Sequence, residues 1–231
     1  MGSALEAEES RVEVLTPLAS RLLNAFFAGA PGRDTFFLAG GTALALADFQ
    51  HRRSDDLDFF SRDLGAVRRH ARDIRAWGIG EGFDAEVDPG FDGDQHVRYR
   101  FLQADEVVKI DLCTDSPPHL GAIREERGVR FDARRNLFAS KLVTFFGRGE
   151  PKDAIDAYFI LSASGDDPSG LIADALLKEA GWDYEAVISG LEAFEPLVLP
   201  DSFLKSYMIK PVSRVEIEEL FRDVAATLRR A

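Results

Sequence analysis

The sequence predicts an α+β protein in which a mixed-sheet core precedes a C-terminal helical domain. Apolar runs and alternating apolar and polar residues, which are typical of strands, fall between residues 36 and 113. Helical patterns predominate after residue 132. The chain has 231 residues, 45% of them hydrophobic, enough for one large core or two small ones. We therefore place an α/β core with an N-terminal helix at 1–130 and a helical domain at 131–231.

Individual elements of the core follow from periodicity and from glycine and proline positions. Gly29 and Pro31 end a first amphipathic helix, and Gly40-Gly41 ends a short buried strand. We expect Thr42 to cap the next helix through its hydroxyl. The strands predicted at 96–103 and 106–113 are joined as a hairpin. The predicted helices are 12–27, 42–49 and 65–77, and the predicted strands are 36–39, 55–60, 83–87, 96–103 and 106–113.

Composition and charge exclude several classes of protein. The net charge of −12 argues against non-specific coating of nucleic acid, although a local basic groove remains compatible with it. Residues 121–152 are basic and residues 153–231 are acidic. A lone cysteine, Cys113, fits a reducing compartment. The acidic N-terminus and the lack of a long apolar stretch predict a cytoplasmic protein without membrane contact.

The turn at Gly40-Gly41-Thr42 is the first candidate site. A strand that enters two glycines and then a helix leaves backbone N–H groups free at the helix start, where a phosphate can approach closely. Taken alone, such a turn is more often ordinary loop chemistry.

Aspartates on two predicted strands form the second candidate site. Asp56 and Asp58 are two residues apart, so both carboxylates should point to one face, and Asp55 should point away. If the strand containing Asp111 lies beside them, three carboxylates form a cluster that can hold two Mg²⁺ or Mn²⁺ ions. Each aspartate alone could be a solvated strand residue. Their combination with the glycine turn favours a metal site.

Together these segments resemble the AbiEii/AbiGii-type nucleotidyltransferase toxins, in the superfamily with a DNA polymerase β-like core. The resemblance spans about residues 36–161, more than half of the chain. Its motifs are Gly-Gly-Thr-Ala-Leu-Ala-Leu at 40–46, His-Arg-x-Ser-x-Asp-Leu-Asp-Phe-Phe at 51–60 and Lys-Ile-Asp at 109–111. A final run follows, with Lys141-Leu142, Arg148, Lys152-Asp153 and Asp156. The order and combination are specific, whereas any one piece would be weak.

The resemblance implies roles for individual residues. Gly40, Gly41 and Thr42 would hold the phosphates of an NTP. Asp56, Asp58 and Asp111 would bind Mg²⁺ or Mn²⁺, and Asp111 would also help to deprotonate the acceptor. The helical residues Lys141, Arg148 and Asp153 would complete the nucleotide site, Lys141 by neutralising the triphosphate. Without the resemblance, the helical cations could be a solvated face, and Asp153 and Asp156 could be acids at a helix N-terminus. Lys109, His51 and Arg52 are left open between substrate contact and local structure.

The implied activity is transfer of a nucleoside monophosphate from an NTP to an acceptor, with release of pyrophosphate. A toxin of this kind would modify a tRNA and have a cognate antitoxin. Modification of a protein or a small molecule is an alternative with the same fold. A non-catalytic nucleotide-binding module is a third alternative, for which loss of a metal carboxylate would be expected. All three aspartates are present.

Overall fold

A computed structural model of the chain describes residues 14–194 and 200–230. It contains a seven-stranded mixed sheet and C-terminal helices, which confirms the predicted fold class. The strands are β1 (Phe37–Ala39), β2 (Asp56–Ser61), β3 (Asp84–Asp92), β4 (His96–Gln103), β5 (Glu106–Thr114), β6 (Arg124–Glu126) and β7 (Val129–Phe131). The helices are α1 (Pro17–Gly29), α2 (Gly40–Ala43, continued by a π-helical turn Leu44–Phe49), α3 (Ala66–Gly80), α4 (Arg134–Arg148), α5 (Pro151–Ala163), α6 (Pro168–Lys178), α7 (Tyr184–Glu192), α8 (Asp201–Tyr207) and α9 (Arg214–Leu228).

The strand order across the sheet is β3-β4-β5-β2-β1-β7-β6. The central strand β2 pairs parallel with β5 and antiparallel with β1. β4 and β5 form the predicted hairpin, and β7 pairs parallel with β1. The two strands that carry the predicted acidic residues are therefore neighbours at the centre of the sheet.

Alternation along the strands divides the sheet into an apolar face and a polar face. On the apolar face, Phe26 of α1 stacks on Phe59 of β2 with ring centroids 3.9 Å apart. On the same face, the hydroxyl of Tyr99 in β4 donates to the carbonyl of Ala71 in α3 over 2.9 Å. Helices α1 and α3 thus cover this face, and the polar residues of the same strands point to the opposite side.

The C-terminal helices contact helix α4 and the loop before β2. Phe221 of α9 packs on Phe145 of α4 with ring centroids 5.0 Å apart. After α8, the N–H of Ile209 donates to the carbonyl of His51, and the N–H of Arg53 donates to the carbonyl of Tyr207. The loop before β2 is therefore held by the last third of the chain.

Several predicted element boundaries differ from those in the structure. Helix α1 begins at Pro17, because Thr16 caps it through its hydroxyl, and the predicted residues 12–13 lie outside the described ranges. The prediction that Thr42 caps α2 is wrong, because that helix begins at Gly40 after Ala39. Strand β3 extends to Asp92 through a register shift. The β6–β7 hairpin was not predicted. No helix within the described ranges is long and apolar enough to span a bilayer.

Candidate active site

A cleft of about 330 Å³ lies between the polar face of the sheet and helix α4. The sheet contributes the carboxylates Asp56, Asp58 and Asp111, and the turn after β1 contributes Gly40 and Gly41. The facing wall contains the cations Lys141, Arg148 and Lys152. The structure thus brings most of the predicted site residues to one cavity.

Strand register explains why the acidic side chains meet. Asp58 of β2 lies opposite Asp111 of β5, and Asp56 lies opposite Lys109 two residues earlier. On the other side of β5, Arg98 of β4 lies opposite Asp111. Arg98, Asp111 and Asp58 therefore form one row across three strands, with their side chains on the polar face.

Asp58 is the least compensated carboxylate of the row. It is half-buried in the cleft, and no residue of 14–194 or 200–230 forms a hydrogen bond or ion pair with its carboxylate. Burial raises its pKa to about 6, and the neighbouring charges of Asp111 and Asp56 add to the shift. A cation placed beside Asp58 would relieve both effects.

Asp56 and Asp111 already have counter-charges. The Nζ atom of Lys109 lies 3.4 Å from Oδ1 of Asp56, and half of the lysine side chain is exposed. Asp111 accepts from Nε and Nη2 of Arg98, at 2.8 and 2.9 Å, and its Oδ1 lies 2.9 Å from Nε2 of His96. Burial alone would raise the pKa of Asp111, but these hydrogen bonds hold it below the ordinary value.

The chemistry of these side chains fits a hard divalent cation at Asp56 and Asp58. Both carboxylates line the cleft, and carboxylate oxygen is the ligand type that Mg²⁺ prefers. No group of three or more acidic, histidine or cysteine side chains within the described ranges is arranged to hold a metal ion. Both oxygens of Asp111 are engaged by Arg98, and one also by His96.

The glycine turn is shaped by the same residues. Gly40 has φ +66°, and a Cβ atom there would overlap the carboxylate of Asp58. A Cβ atom at Gly41 would overlap the guanidinium of Arg52. These close approaches require glycine at both positions. The hydroxyl of Thr42 is buried and bonds to Ser54 and to the carbonyl of Asp56, so its side chain braces β2 and does not face the cleft.

The cationic wall is positioned by two buried aspartates of α5. Asp156 lies 2.7 Å from Nζ of Lys141, and Asp153 forms a two-point ion pair with Arg148 at 2.9 Å for each contact. Neither aspartate is exposed to solvent. Asp153, which was predicted to bind nucleotide, therefore lies behind Arg148 and does not itself line the cleft.

His51, Arg52 and Asp156 form a buried cluster under the glycine turn. Arg52 binds both oxygens of Asp156, at 2.7 and 2.9 Å, and His51 Nε2 lies 2.8 Å from its Oδ1. Burial would raise the pKa of Asp156, but Arg52 and Lys141 hold it well below the ordinary value. Burial lowers the pKa of His51 below its ordinary value, although Asp156 acts in the opposite direction. The sequence left these three roles open, and only the shared motif order could have linked residues 104 apart.

A mixed sheet with paired strand aspartates, a glycine turn and a facing cationic helix defines the class of nucleotidyltransferases. The sequence profile of the family described as "Nucleotidyl transferase AbiEii toxin, Type IV TA system" matches residues 21–230. The chain therefore belongs to the AbiEii nucleotidyltransferase toxin family, and it is an enzyme of that class. The resemblance drawn from the sequence is confirmed.

Solved structures show the same fold at low sequence identity. MenT4, the nucleotidyltransferase toxin Rv2826c from Mycobacterium tuberculosis H37Rv, is similar with a TM-score of 0.64 and 19% identity, over 91% of this chain and 81% of that one. A putative nucleotidyltransferase from H. pylori gives 0.54 and 18%, over 100% and 98%. JHP933 from Helicobacter pylori gives 0.56 and 18%, over 100% and 93%. No curated protein matches the sequence significantly.

Proposed function

We propose that this chain is a Mg²⁺-dependent nucleotidyltransferase that moves a nucleoside monophosphate from an NTP to an acceptor hydroxyl. The observation that carries the proposal is the opposition of charges across one cleft. Asp56 and Asp58 lie on the sheet wall, and Lys141, Arg148 and Lys152 lie on the helical wall. An NTP bound with a divalent cation complements both walls, because its phosphates are anionic and its metal is cationic.

In the reaction, the acceptor oxygen forms a bond to the α-phosphorus while the bond to the bridging oxygen breaks. Pyrophosphate leaves with the electron pair, and the hydroxyl proton passes to solvent. Asp56 and Asp58 would hold a divalent cation, which would supply charge neutralisation at the phosphates. The chain contributes positioning: Gly40 and Gly41 leave room for Asp58 and Arg52 beside the turn, while Asp156 and Asp153 fix Lys141 and Arg148 against the departing charge.

Calorimetric titration of each NTP, with Mg²⁺ and again with EDTA, tests this proposal. We expect metal-dependent binding of at least one NTP, and its loss in Asp58→Asn. The matched control is Asp55→Asn. Asp55 directly precedes β2, is exposed to solvent and does not line the cleft. Binding that survives in Asp58→Asn, or that is insensitive to EDTA, would contradict the assignment of the site.

For the acceptor we propose an RNA, with tRNA as the first to test. Lys109 beside Asp56, and Arg148 and Lys152 in the cleft, keep between 38% and 50% of their side chains exposed, so a phosphate backbone can contact those that the nucleotide leaves free. Labelled NTP added to a cell extract should label the tRNA fraction. Label confined to the protein or small-molecule fraction would replace tRNA by the corresponding alternative.

We further propose that the chain acts as a toxin restrained by a cognate antitoxin. Family membership supports the toxin role, and the cleft supplies the means to test it. Induced expression should arrest growth, and co-expression of the antitoxin should restore it. Cells that express Asp58→Asn at the same protein level should grow normally, while cells that express Asp55→Asn should stop growing. Arrest by the Asp58→Asn variant would show that toxicity does not depend on this site.

A further inference from the structure

The row of side chains across β4, β5 and β2 has an internal cation next to its acidic members. Arg98 and Asp111 are directly opposite in the antiparallel register, and Asp111 and Asp58 are directly opposite in the parallel register. Three adjacent strands therefore present a cation, an anion and a second anion side by side. Asp111 lies in the middle, with Arg98 on one side and Asp58 on the other.

Asp111 is bound by Arg98 in a two-point ion pair. The Nε and Nη2 atoms donate to separate oxygens at 2.8 and 2.9 Å, and His96 Nε2 lies 2.9 Å from Oδ1. A guanidinium in this fork geometry occupies the plane of the carboxylate, where a bridging metal ion would also bind. Asp111 thus has no oxygen that is free of a cationic or imidazole partner.

Arg98 is itself held in place. Its guanidinium carbon lies 4.1 Å from the centroid of the Phe91 ring, and three quarters of its side chain is buried. Moving Arg98 off Asp111 would break two charge-assisted hydrogen bonds and this ring contact together. The arrangement is therefore a fixed part of the cleft wall and differs in this from a mobile surface pair.

The formal charges of the cluster also leave room for one divalent cation. Asp56, Asp58 and Asp111 carry three negative charges, and Lys109 and Arg98 supply two positive ones at 3.4 and 2.8 Å. No residue of 14–194 or 200–230 forms an ion pair with the third carboxylate, Asp58. In the protein without nucleotide, one dication beside Asp58 already exceeds the remaining negative charge, and a second would have to bind against Arg98.

We propose that Arg98, supported by His96, takes the position of a second cation at Asp111, so that the cleft binds a single divalent cation at Asp56 and Asp58. This inference rests on the proposed function and departs from the sequence expectation that three carboxylates hold two ions. Asp111 is then a positioning residue that fixes Arg98 in the cleft wall.

Mn²⁺ titration of the full chain, followed by electron paramagnetic resonance, tests the proposal without requiring activity. The wild type should bind one ion. Arg98→Met should expose Asp111 and either add a second ion or tighten binding about tenfold. The double variant Arg98→Met/Asp111→Asn removes the ion pair as a neutral unit, so it should bind one ion with an affinity within about threefold of wild type. Arg100→Met is the matched control on the same strand, because Arg100 pairs with exposed Glu86.

Two tight ions in the wild type would overturn the proposal. So would unchanged Mn²⁺ binding in Arg98→Met, or a loss of more than about tenfold in the double variant, which would identify Asp111 as a ligand. Circular dichroism checks each variant, and Arg98→Lys, which should keep one ion, replaces Arg98→Met if the latter is unfolded. Absence of Mn²⁺ binding in the wild type would instead remove the metal from the proposed function, and the present inference with it.

Discussion

Asp58 on the sheet and Asp156 on helix α5 are two aspartates of the same region with opposite electrostatic environments. Asp58 has like charges beside it and forms no ion pair within the described residues, and its pKa is raised to about 6 although the charges of Lys141 and Lys152 oppose the shift. Asp156 contacts Arg52, Lys141 and His51, and its pKa is held well below the ordinary value. Asp58 therefore has no paired cation among the described residues, whereas Asp156 contacts two cations and an imidazole.

This difference separates binding from scaffolding within one site. A carboxylate that is destabilised in the free protein gains the most when a metal ion arrives, because the ion relieves both desolvation and repulsion. A carboxylate that is already saturated gains nothing from a ligand, but it fixes the cations around it. Asp156 thereby fixes Lys141 on the cleft wall and Arg52 under the glycine turn.

The largest expected effect is on catalysis by Asp58→Asn. Removing the unpaired carboxylate should lower the rate of nucleotide transfer at least about 10³-fold, equivalent to about 4 kcal/mol of transition-state stabilisation, because the carboxylate that we propose as a metal ligand is lost. Rates of pyrophosphate release measure it. Asp156→Asn that remains folded should retain more activity than Asp58→Asn; the reverse order would break the comparison.

The next effect is on stability, by Asp156→Asn. We expect a loss of about 3–5 kcal/mol in the free energy of unfolding, because buried Arg52 and Lys141 lose their shared counter-charge. Urea denaturation measures it. Asp153→Asn, one turn earlier on the same helix, should cost only about 1–2 kcal/mol, because its partner Arg148 is 47% exposed and can turn to solvent, and its second partner Lys141, 3.6 Å away, keeps Asp156. Equal losses in the two variants would show that Asp156 is not the central member.

The sequence predicted the sheet side of the site better than the helical side. Period-2 alternation predicts that Asp56 and Asp58 lie on one face. The three-carboxylate cluster depends on their strand lying beside the strand of Asp111, and the structure has this pairing. Such patterns are local and depend only on strand geometry. The fold class followed from the same patterns.

The helical side could not be derived locally, because its contacts join distant segments. Asp156 has the spacing of an ordinary acid near a helix N-terminus, and its partners His51 and Arg52 are more than 100 residues away. The roles of Arg98 and His96 cannot be predicted from their positions in the strand at 96–103, since the hydrogen bonds to Asp111 depend on the register of β4 against β5. The β6–β7 hairpin was missed because its charged residues at 124–127 lack an apolar alternation.

A smaller effect of opposite sign is expected for the stability of Asp58→Asn in EDTA. The raised pKa means that the folded state binds the Asp58 proton more tightly than the unfolded state, so the charge destabilises the fold increasingly between about pH 4 and pH 6. Above pH 6 the variant should be about 1–2 kcal/mol more stable than wild type, after allowing for water in the cleft. At pH 4 the two should unfold alike. A variant less stable than wild type at pH 7.5 would show that Asp58 is compensated in the free protein.

The smallest effect concerns Lys109, the exposed counter-ion of Asp56. Half of its side chain is in solvent, and its Nζ lies 3.4 Å from the carboxylate, so the pair is screened and contributes about 0–1 kcal/mol to stability. Lys109→Met should leave the unfolding free energy within about 0.5 kcal/mol and tighten Mn²⁺ binding about two- to threefold, since one competing positive charge is removed. Mn²⁺ titration and urea denaturation measure the two quantities. Weaker Mn²⁺ binding in this variant would mean that Lys109 orients Asp56 for the metal. Asp56 would then be fixed by its counter-ion, as Asp156 is.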